Sequence, residues 1–435
     1  MRPAPGWSRI ALWTAFAAVH AWLTWLGVVV APAAAFADLD LYRWWMHLGL
    51  DWSTWPVLDG PWVYPAGALA PMVLPALAGT TSTGAYALGW CLLVAALDAA
   101  ATTALVRDAP GRRTSSAGAW WWLGYLVLLG PVAIGRLDGV VTPLMVLALL
   151  AALRRPAVAA ALMTAGAWIK AAPGALLLPL LLAARRPVRD VVAPAAATCL
   201  VVVALVAAGG GLGNIASFLG AQGTRDLQAE SVGATPWVLA QLWRGDVVVE
   251  LDRTLITWEV HGPGTAAAAR VLDVVMVLAL AALAGALLLA RLEGRAGEAL
   301  LPGAFAVVVV LVVTNKVGSP QFLAWLAAPV AVLLARPGES PRRWRRAVAG
   351  TALVAAALTQ AVFPWRYGHF VSGEVLALAT MAARNLALVV LGGLAVAGLA
   401  EVLTDDDQVI AGPRRASADP APGEAPPAET TPQET

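Results

Sequence analysis

The stretch DLDLYRWW, residues 38–45, places Asp38 and Asp40 two positions apart directly after an apolar run of about twenty residues, a length that crosses a bilayer. A carboxylate at a membrane surface can serve as a general base, a metal ligand or a solvated loop charge. In extended backbone the two aspartates share a side, because side chains alternate along a strand. Tyr42, Arg43, His47, Asp51, Asp59 and Tyr64 follow, with Trp44, Trp45, Trp52, Trp55 and Trp62 among them. Tryptophans favour the bilayer interface and also stack on sugars.

Other segments carry isolated charge. GRLDG holds Arg136 and Asp138, and the chain's two lysines are Lys170 and Lys316. TRDLQAESVGATP supplies Arg225, Gln228, Glu230 and Ser231; TNKVGSPQ supplies Asn315, Lys316 and Gln321; and Arg366 and His369 lie in WRYGHF. Any one of these charges has a bland explanation, since a charge near a helix end can snorkel to water or lock two helices together. Convergence of several such segments on one side of a bilayer points instead to a polar cavity. Arginine and lysine there would grip an anionic leaving group, and a carboxylate would take a proton.

The elements that must position these residues are membrane helices. Of 435 residues, 60% are hydrophobic and 13% charged, which excludes an ordinary soluble domain. A net charge of +2 gives no footprint for nucleic acid. Apolar runs predict an all-α integral membrane protein with about twelve transmembrane helices near 10–31, 84–106, 118–134, 139–153, 156–169, 171–184, 190–208, 266–290, 299–313, 321–335, 347–363 and 378–401. Arginine clusters at 107–113, 154–155, 185–189, 291–295 and 336–346 then lie on the cytoplasmic side, with both termini. Long extracytoplasmic loops span about 32–83 and 209–265. Residues 65–79 read as an interfacial or re-entrant helix, because a further crossing there would invert every later arginine cluster. The first apolar run exceeds the ~7–15 residues of a signal-peptide core, so it reads as an uncleaved span. Cys91 and Cys199 sit inside apolar runs and read as free thiols. Residues 1–403 form one transmembrane unit, and 404–435, rich in proline and acid, read as a disordered cytoplasmic tail.

The ordered set D-L-x-L-Y, PVLDGPWVYPAGAL, GRLD, IKAAPGALLLPLLL, LQAES and NKVGSPQFLAWL resembles the C-type glycosyltransferases of family 87 over residues 10–400, and is similar to the actinobacterial polyprenol-phosphate-mannose-dependent α-1,2-mannosyltransferases. Where that family often has Tyr-Pro-Pro, this chain has Tyr64-Pro65-Ala66. The resemblance implies a GT-C-type fold whose long first extracytoplasmic loop carries interfacial helices. It also implies an inverting transferase, at the plasma membrane, that moves a mannose-like sugar from a polyprenyl-monophosphate carrier to a cell-envelope glycan or glycolipid acceptor. The family's loop aspartate, the base, falls on Asp38, with Asp40 as the close second. Arg136, Lys170, Lys316 and Arg366 would hold the donor phosphate. Tyr42, Arg43, His47, Asp59, Tyr64, Asp138, Arg225, Gln228, Glu230, Ser231, Asn315, Gln321 and His369 would contact substrate. Similar enzymes use no metal or cofactor; two neighbouring aspartates keep a metal reading open. The rival classes are a transporter or flippase of lipid-linked saccharides and a non-catalytic partner of envelope enzymes.

Overall fold

A computed structural model describes residues 6–77, 79–107, 115–223, 225–253, 256–336 and 340–404. The chain folds into α1 (Gly6–Trp25), α2 (Ala37–Trp52), α3 (Leu69–Ala76), α4 (Thr83–Val106), α5 (Ala117–Leu129), α6 (Leu137–Ala152), α7 (Pro156–Ile169), α8 (Leu177–Ala183), α9 (Ala193–Ala208), α10 (Thr265–Leu292), α11 (Ala296–Val313), α12 (Leu323–Ala335), α13 (Arg342–Val362), α14 (Tyr367–Val371) and α15 (Val375–Thr404). Shorter turns link them, and β1 (Val248–Asp252) pairs antiparallel with β2 (Thr257–His261).

A helix stands at each of the twelve expected spans. Six of these are long and apolar enough to cross a membrane: Arg9–Val30, Thr83–Val106, Val188–Ala208, Thr265–Leu292, Ala296–Val313 and Val375–Thr404. The shorter apolar helices, among them α5, α6 and α7, pack inside them. Burial follows composition. α12 is apolar all round and almost entirely buried, whereas only 11% of the apolar window of Thr265–Leu292 is buried, so most of α10 faces outward.

One expectation is corrected, and one open alternative is decided. Around Asp38 the backbone is helical, in line with a first loop that carries helices, and not extended. Leu39, Tyr42, Met46 and Gly49 recur at helical spacing, and that face is buried. The all-α expectation also misses a hairpin inside 209–265. VVELD and TWEVH pair from Val248↔His261 to Asp252↔Thr257. This loop has its own apolar core, where Leu227, Val238 and Val260 meet Phe370, Leu378 and Met381. Residues 66–76 form a 3-10 turn and α3, as the helical reading of 65–79 expects. The expected tail from 405 onward lies outside the described residues; Thr404 ends α15.

The ends of the bundle differ in chemistry. Where α8, α12 and α15 terminate, Arg291 donates to the carbonyls of Leu182 and Ala184 (2.8 Å each), Arg295 to Leu403 (2.6 Å) and Arg345 to Leu333 (3.3 Å). These donors satisfy carbonyls that a helix leaves without a partner, and their charge suits the negative end of the helix dipole. The other end, where α6 begins and α7 stops, collects the residues described next.

Candidate active site

Asp38 and Asp40 lie in the first turn of α2, so about 200° of helix separates them. They therefore point apart, and the shared side expected of extended backbone is lost. Asp38 forms an ion pair with Arg136. Asp40 instead accepts from Arg43 Nε (2.9 Å) and Thr83 Oγ1 (2.5 Å), and chiefly that Thr83 bond holds its carboxyl below the usual range. One turn after Asp38 on the same face, the buried Tyr42 hydroxyl sits 3.5 Å from that of Tyr64.

Arg136 immediately precedes α6, with extended backbone, and Asp138 falls in that helix's first turn, where the dipole favours a carboxylate. Asp138 has no solvent exposure. Lys170 Nζ donates to one of its oxygens (3.0 Å) and Trp325 Nε1 to the other (2.6 Å). Lys170 ends α7, and its ammonium stands 5.7 Å from the ring centroids of both Tyr64 and Phe322. Two aromatic faces and one carboxylate thus cradle this cation. Burial lowers the Arg136 pKa to about 10, which leaves it charged at neutral pH.

The 225–231 segment closes over this end. Gly318 lies backbone against backbone on Glu230 and Ser231, so a Cβ there would collide with the segment. Gln228 Oε1 accepts from Gly318 N (3.1 Å) and its own N–H donates to Lys316 O (3.0 Å). Ser231 Oγ caps Ala234 N (3.1 Å). Glu230, 2% exposed, accepts from the Tyr367 hydroxyl through one oxygen; the other oxygen has no partner among the described residues. Burial raises the Glu230 carboxyl above its usual range, with the Tyr367 bond opposing. Arg384, 1% exposed in α15, donates to Asn385 Oδ1 (2.7 Å) and Gly318 O (3.2 Å). Tyr367 lies within the electrostatic reach of both Arg136 and Arg384.

At this end the buried guanidinium Nε atoms of Arg136, Arg225 and Arg384 have no acceptor among the described residues. Buried donors are nearly always satisfied, so this set waits for an anion or for ordered water. The electrostatic reach of Arg225 includes Tyr64. Among the described residues no group of three or more His, Cys, Asp or Glu could hold a metal.

Several expected site residues do not join this cluster. Lys316 Nζ is held by Asp273 (3.0 Å). Arg366 and His369 both bind Glu374, at 2.9 and 2.6 Å, in a partly exposed group. His47 binds Asp51 (2.5 Å), Arg43 also donates to Thr80 O (2.6 Å), and Asp59 accepts from Trp55 N (2.6 Å). Asn315 accepts from Val317 N (2.8 Å) in its own turn, and Gln321 sits half-buried in the 320–322 turn. The sequence reading assigned no role to Trp325, Tyr367 or Arg384. Arg384-Asn385 inside a predicted span was the available signal, since ionisable groups in membrane helices face interiors and partners.

The model of glycosyltransferase family 87 matches residues 62–272. That stretch contains Tyr64, Arg136, Asp138, Lys170, Arg225, Gln228, Glu230 and Ser231, and leaves Asp38, Trp325, Tyr367 and Arg384 outside. No curated protein and no solved structure matches the chain.

Proposed function

We propose that the chain is an inverting glycosyltransferase that moves a sugar, mannose-like as a first assignment, from a polyprenyl-monophosphate carrier to a cell-envelope glycan or glycolipid. The observation that carries this reading is the buried set of unsatisfied guanidinium donors beside Lys170 and Asp38. The family 87 match agrees with it. In the proposal residues 1–403 form one domain crossing the plasma membrane twelve times, both termini are cytoplasmic, and the charged end opens to the extracytoplasmic side. No metal or cofactor takes part.

Charge matching supports a monophosphate carrier. Arg136, Lys170, Arg225 and Arg384 stand against Asp38, Asp138 and Glu230, a formal +1, or +2 when Glu230 is protonated. A sugar phosphodiester brings −1, and the released polyprenyl phosphate carries up to −2. A diphosphate would leave uncompensated negative charge in a buried site, which is costly.

In the proposed reaction the donor phosphate takes over Arg136 and releases Asp38 from its ion pair. Asp38 accepts the proton of the acceptor hydroxyl as its oxygen bonds to the anomeric carbon from the opposite face. The carbon–oxygen bond to phosphate breaks, and the leaving charge falls among Arg136, Lys170 and Arg384. Asp138 holds Lys170 in place, and the free Glu230 oxygen offers an acceptor for a sugar hydroxyl. Nothing in the fold or the comparisons favours the transporter alternative.

The test is transfer from labelled polyprenyl-phosphate sugars in membranes. Asp38→Asn is expected to lower the rate by ~10²–10⁴-fold, the usual worth of general-base catalysis, with the folded protein retained. Undiminished turnover would remove Asp38 from this role and overturn the mechanism.

A further inference from the structure

Phe36 stands two residues before Asp38, at the start of α2, and is 3% exposed. The tip of its ring lies on Gly27 and one edge lies on Gly135, so closely that a Cβ on either glycine would collide with it. Gly27 belongs to a π-helical turn, Leu26–Val30, that ends the first span; turns of this kind are frequent at functional sites. Gly135 directly precedes Arg136, and a Cβ there would also come within 3.2 Å of the Ala35 carbonyl. One aromatic ring thus fills a notch between the first span, the first long loop and the entry to α6.

The two sides of this notch are held differently. The Arg136 segment is fixed without the ring: Trp90 Nε1 donates to the Ile134 carbonyl (2.8 Å), and Gly135 N donates to Pro131 O (3.0 Å). The start of α2 has no side-chain cap, and Asp38 meets the charged end through its ion pair with Arg136. In the proposed reaction that ion pair passes to the donor phosphate. From then on Asp38 has lost its charged tether, and the packed ring two residues earlier holds its backbone.

We infer that Phe36 is a positioning residue: wedged between Gly27 and Gly135, it keeps Asp38 in reach of the acceptor hydroxyl once Arg136 has turned to the phosphate. The inference rests on the reading of Asp38 as the base. It adds a residue without a polar side-chain atom that acts through Asp38 and touches no substrate. A base displaced by about 1 Å costs on the order of 10²-fold in rate.

The test is steady-state transfer by the full-length protein in detergent, per folded molecule, with kcat and donor KM read separately. Phe36→Ala is expected to lower kcat by ~10²-fold and Phe36→Leu by ~10-fold, with donor KM unchanged, because Arg136 and Lys170 keep their places. Phe36→Leu carries the test where the larger truncation does not fold. Phe305→Leu truncates another fully buried ring, one packed on Trp344, and is expected to lower stability and leave kcat alone. Unchanged kcat in the Phe36 variants, an equal loss in Phe305→Leu, or a loss confined to KM overturns the inference. A second-site swap reads the contact itself. Gly135→Ala crowds the ring and is expected to cut kcat by ~10²-fold; adding Phe36→Leu makes room and should recover ~10-fold. Failure of Phe36→Leu to improve Gly135→Ala overturns the wedge. Full turnover by Asp38→Asn would sink the base reading, whereas an inactive Asp38→Asn beside a Phe36→Leu with wild-type kcat sinks this inference alone.

Discussion

Arginines stand at both ends of the bundle, and the two ends use them differently. At one end Arg291, Arg295 and Arg345 donate to helix-terminal carbonyls. At the other, Arg136, Arg225 and Arg384 are buried at Nε with no acceptor, close to Asp38, Glu230 and two tyrosine hydroxyls. The first group closes helix ends. The second keeps a buried donor open on each of its three arginines, and in the proposed reaction those donors face the phosphate. Among these six residues the difference lies in the state of the donors and not in charge.

The largest effect expected within that contrast tests it directly. Arg384→Met removes a donor from the charged end and is expected to cut transfer by ~10²–10³-fold, the scale of losing one preorganised donor to developing charge. Arg291→Ala is expected to lower thermal stability while each folded molecule keeps its turnover. Rates per folded protein, normalised by size-exclusion peak area, check both. If Arg291→Ala lowers the rate per molecule as far as Arg384→Met does, the contrast fails.

A third polar site sharpens the comparison, because it lies inside the bundle and away from either end. His20 Nε2 and Asp98 Oδ2 are 2.9 Å apart between α1 and α4, and His20 Nδ1 lies 2.9 Å from Phe16 O. Both residues are buried. This pair joins two helices and has no place in the proposed reaction. Asp98→Ala leaves His20 Nε2 without its partner in the bundle and is expected to cost about 3 kcal/mol of stability, the scale of breaking a buried pair. Transfer by the surviving folded fraction should be normal. A large loss of rate with unchanged melting would move this pair out of the structural class.

Ligand linkage comes next in size. Polyprenyl phosphate at about a hundred times its Kd is expected to stabilise the wild type by ~2.7 kcal/mol. Arg136→Ala should lose most of that increment, whereas Arg345→Ala should keep it at a lower starting stability. Differential scanning fluorimetry with and without the lipid reads both. Equal increments in the two variants would mean that the charged end is not where the phosphate binds.

Much of the architecture was legible in the sequence, for a plain reason. Long apolar runs admit few structures but helices, so a helix stands at each expected run, six of them long and apolar enough to cross a membrane. Charges isolated between such runs were legible as well: Arg136 with Asp138, Lys170, and Glu230 come from three separate segments and lie at one end of the bundle. Partner choice was not. Lys316 looks equivalent to Lys170 in sequence, and each is held by a carboxylate at 3.0 Å, but the partner of Lys170, Asp138, is fully buried whereas Asp273 is half exposed. Arg366 and His369 look poised for phosphate, yet Glu374, a few residues on, takes both. Arg384 escaped notice because one charge in a long apolar run scarcely changes the run's average. The resemblance implies helices in the first long loop, and the helix at 37–52 is one, its buried face at helical spacing.

The smallest expected effect concerns Glu230 and the pH dependence of the empty protein. Its carboxyl lies above the ordinary 4.5 because it is buried, with the Tyr367 bond opposing the shift. The folded state therefore binds this proton more tightly than the unfolded state does. Stability from this group is fully present below about pH 4.5, declines as pH rises toward the folded pKa, and is constant above it. One proton limits the slope to about 1.4 kcal/mol per pH unit. Glu230→Gln keeps an oxygen that accepts from Tyr367 and deletes the titration. The variant should thus gain on the wild type as pH rises through that window, measured as the difference in Tm. A flat difference would mean that Glu230 titrates normally in the folded protein, which would place water or an unseen cation at its open oxygen and make the charged end less dry than its buried donors imply.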